Sequence, residues 1–305
     1  MSDQQNEYYQ SVKGPFSLDN EAEYSCWRDA KLASYPRTVD ELLISIGDLA
    51  APSQNEHAAV LDLCNRANMA VYQTGAVGRD AEAVRPALRA LGAAFGLRAA
   101  EDHRSAEADG IVAIEVASAG GRLGYIPYTT RPISWHTDGY YNFHGPENCI
   151  PAMVLHCVRD AAEGGVSTLL DSDIAYIRLR DRDPALIAAL MHPEAMTIPP
   201  GEEAGGRPRP ANTGPVFYVA PQSGALGMRY TARKRNIEWR DDAATTRARA
   251  ALEEVLADDP LILRHKLQPG QGVICNNVLH TRTAFADGEG AGRLLYRVRY
   301  HERIA

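Results

Sequence analysis

Residues 128–142 read YTTRPISWHTDGYYN, and within them His136-Thr137-Asp138 sets an imidazole and a carboxylate two residues apart. The flanking Thr129, Thr130, Ile133, Trp135, Tyr140 and Tyr141 are β-branched or aromatic, which favours a strand. On a strand, residues i and i+2 share a face. His136 and Asp138 are therefore expected to grip one ion from one side, with Thr137 turned away. The expectation is that the rest of the chain completes this half-site.

Upstream, the pattern predicts helices over 21–34, 38–49 and 53–67. The second is signalled by a capping box in T-V-D-E (Thr38 with Glu41) and by Gly47 near its end. The third places Ala58, Val60, Leu61 and Cys64 on one face. A strand at 69–73 and an amphipathic helix at 80–95 follow, and residues 1–20 read as a loose or docked leader. Downstream of Gly110 short strand-like runs dominate: 111–116, 133–135, 153–158, 167–170, 216–219, 261–267, 272–275 and 294–300. Their Gly and Pro punctuation suggests a sandwich or barrel, interrupted by helical stretches at 174–191 and 243–258. The Gly- and Pro-rich stretch 198–224 is long for a plain connection, and such a loop is expected to be a lid or a disordered excursion. No linker divides the pattern, so residues 1–305 are expected to form one catalytic domain: a mostly helical part, 1–68, packed on a mainly β core, 69–305.

The chain of 305 residues is 45% hydrophobic and 23% charged, ordinary values for a globular protein. Its 32 basic and 39 acidic residues give a net charge of −7, which argues against nucleic-acid or anionic-membrane partners. Five cysteines (Cys26, Cys64, Cys149, Cys157, Cys275) contain no CxxC pair and read as reduced thiols of a cytoplasmic protein. The polar, acidic N-terminus is unlike a signal peptide, and no apolar run approaches the roughly 20 residues that span a bilayer.

Two ligands hold a metal weakly, so a third must come from elsewhere. His280, in GVICNNVLHTRTAF, follows the strand-like 272–275 and the turn QPGQG. Two imidazoles and one carboxylate on one face leave opposite positions open, an arrangement that suits non-haem Fe(II) and oxygen chemistry. With nine histidines, about one H-x-[DE] is expected by chance, and His192-Pro193-Glu194 is a second one. It follows the helical ALIAALM and contains a proline, which disfavours a ligand-bearing strand. A zinc hydrolase, or a non-catalytic metal sensor, would use the same three residues.

Taken together, SWHTD, then LHC followed by GGVSTLLD, then LQPGQGVICNNVLHTR resemble the Fe(II)/2-oxoglutarate-dependent dioxygenases of the taurine dioxygenase and γ-butyrobetaine hydroxylase group. The likeness runs over about residues 69–300. It implies a double-stranded β-helix (jelly roll) with helices outside, in all a mainly β, α+β fold. It also implies Fe(II) held by His136, Asp138 and His280, with 2-oxoglutarate and O2 as cosubstrates. The far carboxylate of 2-oxoglutarate would be held by Arg293, thirteen residues after His280, where a guanidinium fork offers two parallel N–H bonds. A hydroxyl from Gly164-Gly165-Val166-Ser167 would assist. The interval from Asp138 to Ser167 is a few residues longer than the group's pattern, so Thr168 shares that expectation.

The implied reaction is hydroxylation of a C–H bond with decarboxylation of 2-oxoglutarate to succinate and CO2. Asp138 retains the carboxylate that a halogenating site would lack. Arg297, four residues beyond Arg293, matches a position that holds an anionic substrate group. Tyr128 matches an aromatic that lines a trimethylammonium pocket, a role suited to cation–π contact, and Tyr140 is placed with them. The expected substrate is a small charged or zwitterionic molecule, with oligomeric state left open. Arg299 reads as a structural ion-pair residue and His156 as a satisfied core histidine.

Overall fold

Ser53 opens the helix Gln54–Ala67 through a full capping box. Its hydroxyl accepts from the Glu56 N–H at 3.3 Å, and the Glu56 carboxylate accepts from the Ser53 N–H at 2.6 Å. Two donors that a helix start leaves orphaned are thereby satisfied. At the other end Asn68 takes a left-handed φ of 55°, which Asn tolerates better than most side chains, and the chain turns straight into the buried strand Met69–Gln73. Asn20, Asp171 and Asp242 cap Glu21–Ser34, Ser172–Arg182 and Ala243–Asp258 in the same manner. The helix predicted over 174–191 is two helices. Pro184 disfavours helical geometry in the residue before it, so Asp183 is extended and its side chain caps a new helix, Pro184–Leu190.

The computed structural model describes residues 12–102, 105–202, 208–233 and 235–304. The first eleven residues of the expected leader, and 203–207 of the predicted lid, lie outside them. The chain forms two compact units, one of residues 1–35, 135–149 and 170–262, the other of residues 36–134, 150–169 and 263–305. The division falls inside the strand Ile133–His136, between Ser134 and Trp135.

The second unit carries a six-stranded sheet in the order Leu43–Ser45, Met69–Gln73, Gln271–Cys275, Ala152–Arg159, Leu294–Tyr300, Val112–Ile114. Its first pair is parallel and the rest antiparallel. Leu43–Ser45 corrects the helix expected over 38–49. Thr38 and Arg37 do bond the Glu41 carboxylate, at 3.1 and 3.3 Å, but only a single 3-10 turn, Asp40–Leu42, results. The L-I-S segment then pairs with Val71–Gln73, because an open sheet edge offers backbone partners that override local propensity. A second sheet has the order Leu263–His265, Ser167–Leu170, Leu279–Arg282, Ile133–His136.

The first unit packs an aromatic nucleus, with Phe16 edge-on to Trp27 at 4.9 Å and to Tyr176 at 5.7 Å, and Tyr176 edge-on to Phe217 at 5.5 Å. Arg180 lies fully buried over the Tyr24 ring at 3.9 Å and donates to the Pro15 and Ser17 carbonyls, which docks residues 15–17. Lys31 is buried between Asp171 and Asp173, each at 2.7 Å. The Gly- and Pro-rich stretch 198–224 holds short strands among its described residues, including one at 217–219 where a strand-like run was expected. Asn212–Gly214 pairs with Met196–Ile198, and the buried Phe217–Val219 pairs with Leu226–Met228. No helix among the described residues is long and apolar enough to cross a membrane.

Candidate active site

His136 ends its strand and bridges to Thr231. Thr137 is wholly buried; its N–H donates to the Tyr230 carbonyl at 3.0 Å and its hydroxyl accepts from the Tyr230 N–H at 3.1 Å. That pair of hydrogen bonds holds the centre of the His-Thr-Asp triplet, and His136 Nε2 and Asp138 Oδ1 come to 3.9 Å of each other. Beyond Asp138, Gly139 turns the chain at a φ of 72°.

The segment after this turn is held by Arg229, a residue that the sequence pattern did not single out. Its guanidinium is buried and donates to the carbonyls of Tyr140 (2.8 Å), Met196 (2.8 Å), Gly214 (3.3 Å) and Asn212 (2.7 Å), and to the Asn212 side-chain oxygen (3.0 Å). Asn212 in turn donates to the Phe143 carbonyl at 2.7 Å. No carboxylate of the described residues shares this cluster, and burial pushes the Arg229 pKa down to about 10.

His280 is delivered by a different device. After Gln271–Cys275, Asn276 exchanges two hydrogen bonds with Ile304, and Asn277 takes a left-handed φ of 49° while its amide donates to the Ile150 carbonyl. This fixed turn starts the strand Leu279–Arg282. His280 Nδ1 lies 2.9 Å from the Val278 carbonyl and so carries the proton there, which leaves the Nε2 lone pair for a ligand. One ligand atom each from His136, Asp138 and His280 lies within 4.8 Å of the others. Two imidazoles and a carboxylate are a donor set that fits a first-row divalent ion.

Arg293 is buried, and its backbone N–H donates to Asp287 at 2.8 Å. Its guanidinium lies over the Phe285 ring at 5.1 Å, and burial lowers its pKa. The Gly-Gly turn explains itself here. A Cβ on Gly164, at a φ of 68°, would stand 2.1 Å from the Ala284 carbonyl oxygen, and one on Gly165 would stand 3.6 Å from Arg293 Nε. Ser167, half-buried, is paired with His265, and the buried Thr168 with Arg264, so the two side chains alternate across their strand. Arg282, also missed by the sequence reading, is buried and donates to the carbonyls of Pro127, Ile126, Thr129 and Arg131.

Arg297 is half-buried on the strand Leu294–Tyr300, opposite Leu155 and Val112. Opposite Leu294 and Leu295 the partner strand Ala152–Arg159 carries a bulge, with Val158 left over between Arg159 and Cys157, and Arg293 lies just before the strand begins. Arg299 forms a buried ion pair with Glu101. Tyr128 is buried with the Arg122 guanidinium over its ring at 5.3 Å, and Tyr140 lies edge-on to His136 at 6.5 Å. His156 is a satisfied core residue. Its Nε2 bonds the Gly78 carbonyl at 2.7 Å and its Nδ1 pairs with the Tyr72 hydroxyl at 3.0 Å. His192 accepts from the Glu194 N–H at 3.0 Å in a turn after Leu190, which spends its Nδ1 locally.

A family model described as taurine catabolism dioxygenase TauD, TfdA family matches residues 48–299. A uridine-5'-phosphate dioxygenase from an Amycolatopsis species is 34% identical over 184 residues, 57% of this chain; the match spans 62% of the relative's own length. Among solved structures, an asparagine oxygenase in complex with Fe(II), 2S,3S-3-hydroxyasparagine and succinate has a TM-score of 0.59 at 16% identity, covering 98% of this chain and 92% of its own. The non-heme iron oxygenase OrfP, in complex with Fe and alpha-ketoglutaric acid, has a TM-score of 0.59 at 17% identity over 90% of each chain. These likenesses establish the fold as mainly β, α+β, with a jelly-roll core.

Proposed function

We propose an Fe(II)- and 2-oxoglutarate-dependent dioxygenase that hydroxylates a small charged metabolite, because the chain belongs to the taurine catabolism dioxygenase TauD/TfdA family. The observation that carries the reading is the convergence of ligand atoms from His136, Asp138 and His280 within 4.8 Å. With Fe(II), 2-oxoglutarate and O2 bound, such a centre couples decarboxylation of the oxo acid to hydroxylation of a substrate C–H bond. The protein's own part is positional. His136, Asp138 and His280 hold the metal from one side, and the Val278 carbonyl fixes the His280 ring so that Nε2 is presented.

Arg293 holds the far carboxylate of 2-oxoglutarate, a role supported by its burial and by the lack of any carboxylate at ion-pair distance among the described residues. Ser167 or Thr168 supplies the accompanying hydroxyl. Arg297, Tyr128 and Tyr140 face the substrate, with Arg122 already stacked on Tyr128 and therefore favouring an anionic over a cationic partner there. Two substrate chemistries are supported by the relatives' names: a phosphorylated nucleoside, and an amino acid of the asparagine or arginine kind.

The test is succinate release from 2-oxoglutarate, with Fe(II) and ascorbate, in a panel of small nucleotides, amino acids, betaines and sulfonates. The expected result is substrate-dependent succinate formation with O2 consumed. Absence of turnover across the panel, combined with no 2-oxoglutarate binding by calorimetry, would sink the reading. Full activity with Zn(II) and without O2 would replace it with hydrolysis.

A further inference from the structure

Buried cations ordinarily sit against carboxylates, because an unpaired charge in a low-dielectric interior is costly. Arg282 and Arg293 depart from this. Both are about nineteen-twentieths buried, at 5% and 6% exposure, and neither has an acidic side chain at ion-pair distance among the described residues. Arg282 is fastened entirely to backbone, through the carbonyls of residues 126–131, and its Nε has no partner among the described residues. Among the described residues Arg293 has no such fastening for its side chain. What it shares with Arg282 is Phe285: the Arg282 guanidinium lies over that ring at 4.9 Å and the Arg293 guanidinium at 5.1 Å.

Phe285 is itself fixed. It pairs with Gly164 across a short antiparallel ladder, and its N–H donates to the Thr130 carbonyl at 3.1 Å. The Gly-Gly turn runs along the same place, with Gly165 facing both Arg293 Nε and the Phe285 Cβ. An aromatic face attracts a guanidinium through its quadrupole and offers it no oxygen. A carboxylate in the same position would hold Arg293 more strongly but would occupy the fork that an incoming carboxylate needs. A ring held in place thus orients the cation and leaves its N–H groups available.

We propose that Phe285 is the positioning residue for cosubstrate capture: it orients the Arg293 guanidinium by stacking, so that the N–H fork meets the far carboxylate of the oxo acid. Arg282, locked to backbone, keeps the ring in register. This rests on the proposed role of Arg293.

The test is anaerobic calorimetry on the full-length, Mn(II)-loaded protein with two oxo acids. One is 2-oxoglutarate; the other is 2-oxovalerate, of equal length but with a methyl in place of the far carboxylate. Phe285→Leu is expected to weaken 2-oxoglutarate by roughly tenfold and to leave 2-oxovalerate unchanged, while Phe285→Tyr, which keeps the ring, stays within about twofold of the wild type for both. Phe285→Met takes the place of Phe285→Leu should the latter not fold. Unchanged 2-oxoglutarate affinity, or equal losses for both oxo acids, would overturn the proposal and leave Phe285 a packing residue. Arg293→Ala separates the two layers. If it binds 2-oxoglutarate like the wild type, the role of Arg293 falls; if it loses binding while Phe285→Leu does not, only the inference about Phe285 falls.

Discussion

Replacing Arg229 with methionine tests whether a buried cation without a carboxylate holds the segment that follows Asp138. The guanidinium makes five hydrogen bonds, to the Tyr140, Met196, Gly214 and Asn212 carbonyls and the Asn212 side chain, between 2.7 and 3.3 Å. Bonds to a charged donor contribute about 1.5–3 kcal/mol each when measured singly. Burial works against them. The pKa falls from 12.5 to about 10, which at about 1.36 kcal/mol per unit means roughly 3 kcal/mol against the charged form. Methionine fills the volume but leaves the buried oxygens without their donor, so the expected loss is about 3–5 kcal/mol, a large part of an ordinary domain's stability. Arg229→Lys keeps the charge with three donors in place of five and is expected to lose about half as much. Urea unfolding, with the denaturant slope unchanged, measures both variants. A loss below about 1 kcal/mol in the methionine variant would refute the reasoning, since it would mean that water or repacking serves those oxygens equally well.

His156 links stability to acid. Burial pushes its pKa down from 6.5 to about 4, so between those values the unfolded chain takes up a proton that the folded chain refuses; stability is complete above pH 6.5 and falls as the pH drops toward 4, by up to about 3 kcal/mol. Thermal melts across that window should show the fall, and His156→Gln should flatten it. Gly164 and Gly165 are both left-handed, so alanine strains either, but Gly164→Ala also meets the Ala284 carbonyl at 2.1 Å whereas Gly165→Ala meets only contacts of 3.6 Å or more; the first should cost at least about 2 kcal/mol and clearly more than the second in the same melts. Asp138→Ala should abolish Fe(II) binding by isothermal titration while the far-ultraviolet spectrum stays that of the wild type; retained binding would mean that a different group is the ligand.

Several elements announced themselves because one physical signal dominated each. The strands at 69–73, 167–170 and 294–300 and the helices at 21–34 and 243–258 fall where apolar period and capping residues put them. His136 and Asp138 stood out by their strand spacing and His280 by the turn and strand before it, while the order that joins them to the Gly-Gly turn was readable only through the resemblance to a known family. Residues 38–49 were not, because the capping contacts of Thr38 and Glu41 form as expected while the next three residues answer to a sheet edge supplied by Met69–Gln73. Arg229 and Arg282 were invisible for a different reason. Their partners are backbone carbonyls, which every residue carries, so nothing in residue type marks the cluster. The bulge at Val158, opposite Leu294 and Leu295, likewise leaves no trace in residue type.

The pair of buried arginines at positions 282 and 293 bears on how long the protein survives as well as on what it does. A fold that encloses positive charge with no carboxylate at ion-pair distance among its described residues is stabilised by an anion that enters beside it, and only while that anion is supplied. At a hundred times its dissociation constant a bound ligand adds about 2.7 kcal/mol to stability. The melting temperature should therefore climb with the concentration of dicarboxylate, and the lifetime of the protein would follow the supply of that metabolite.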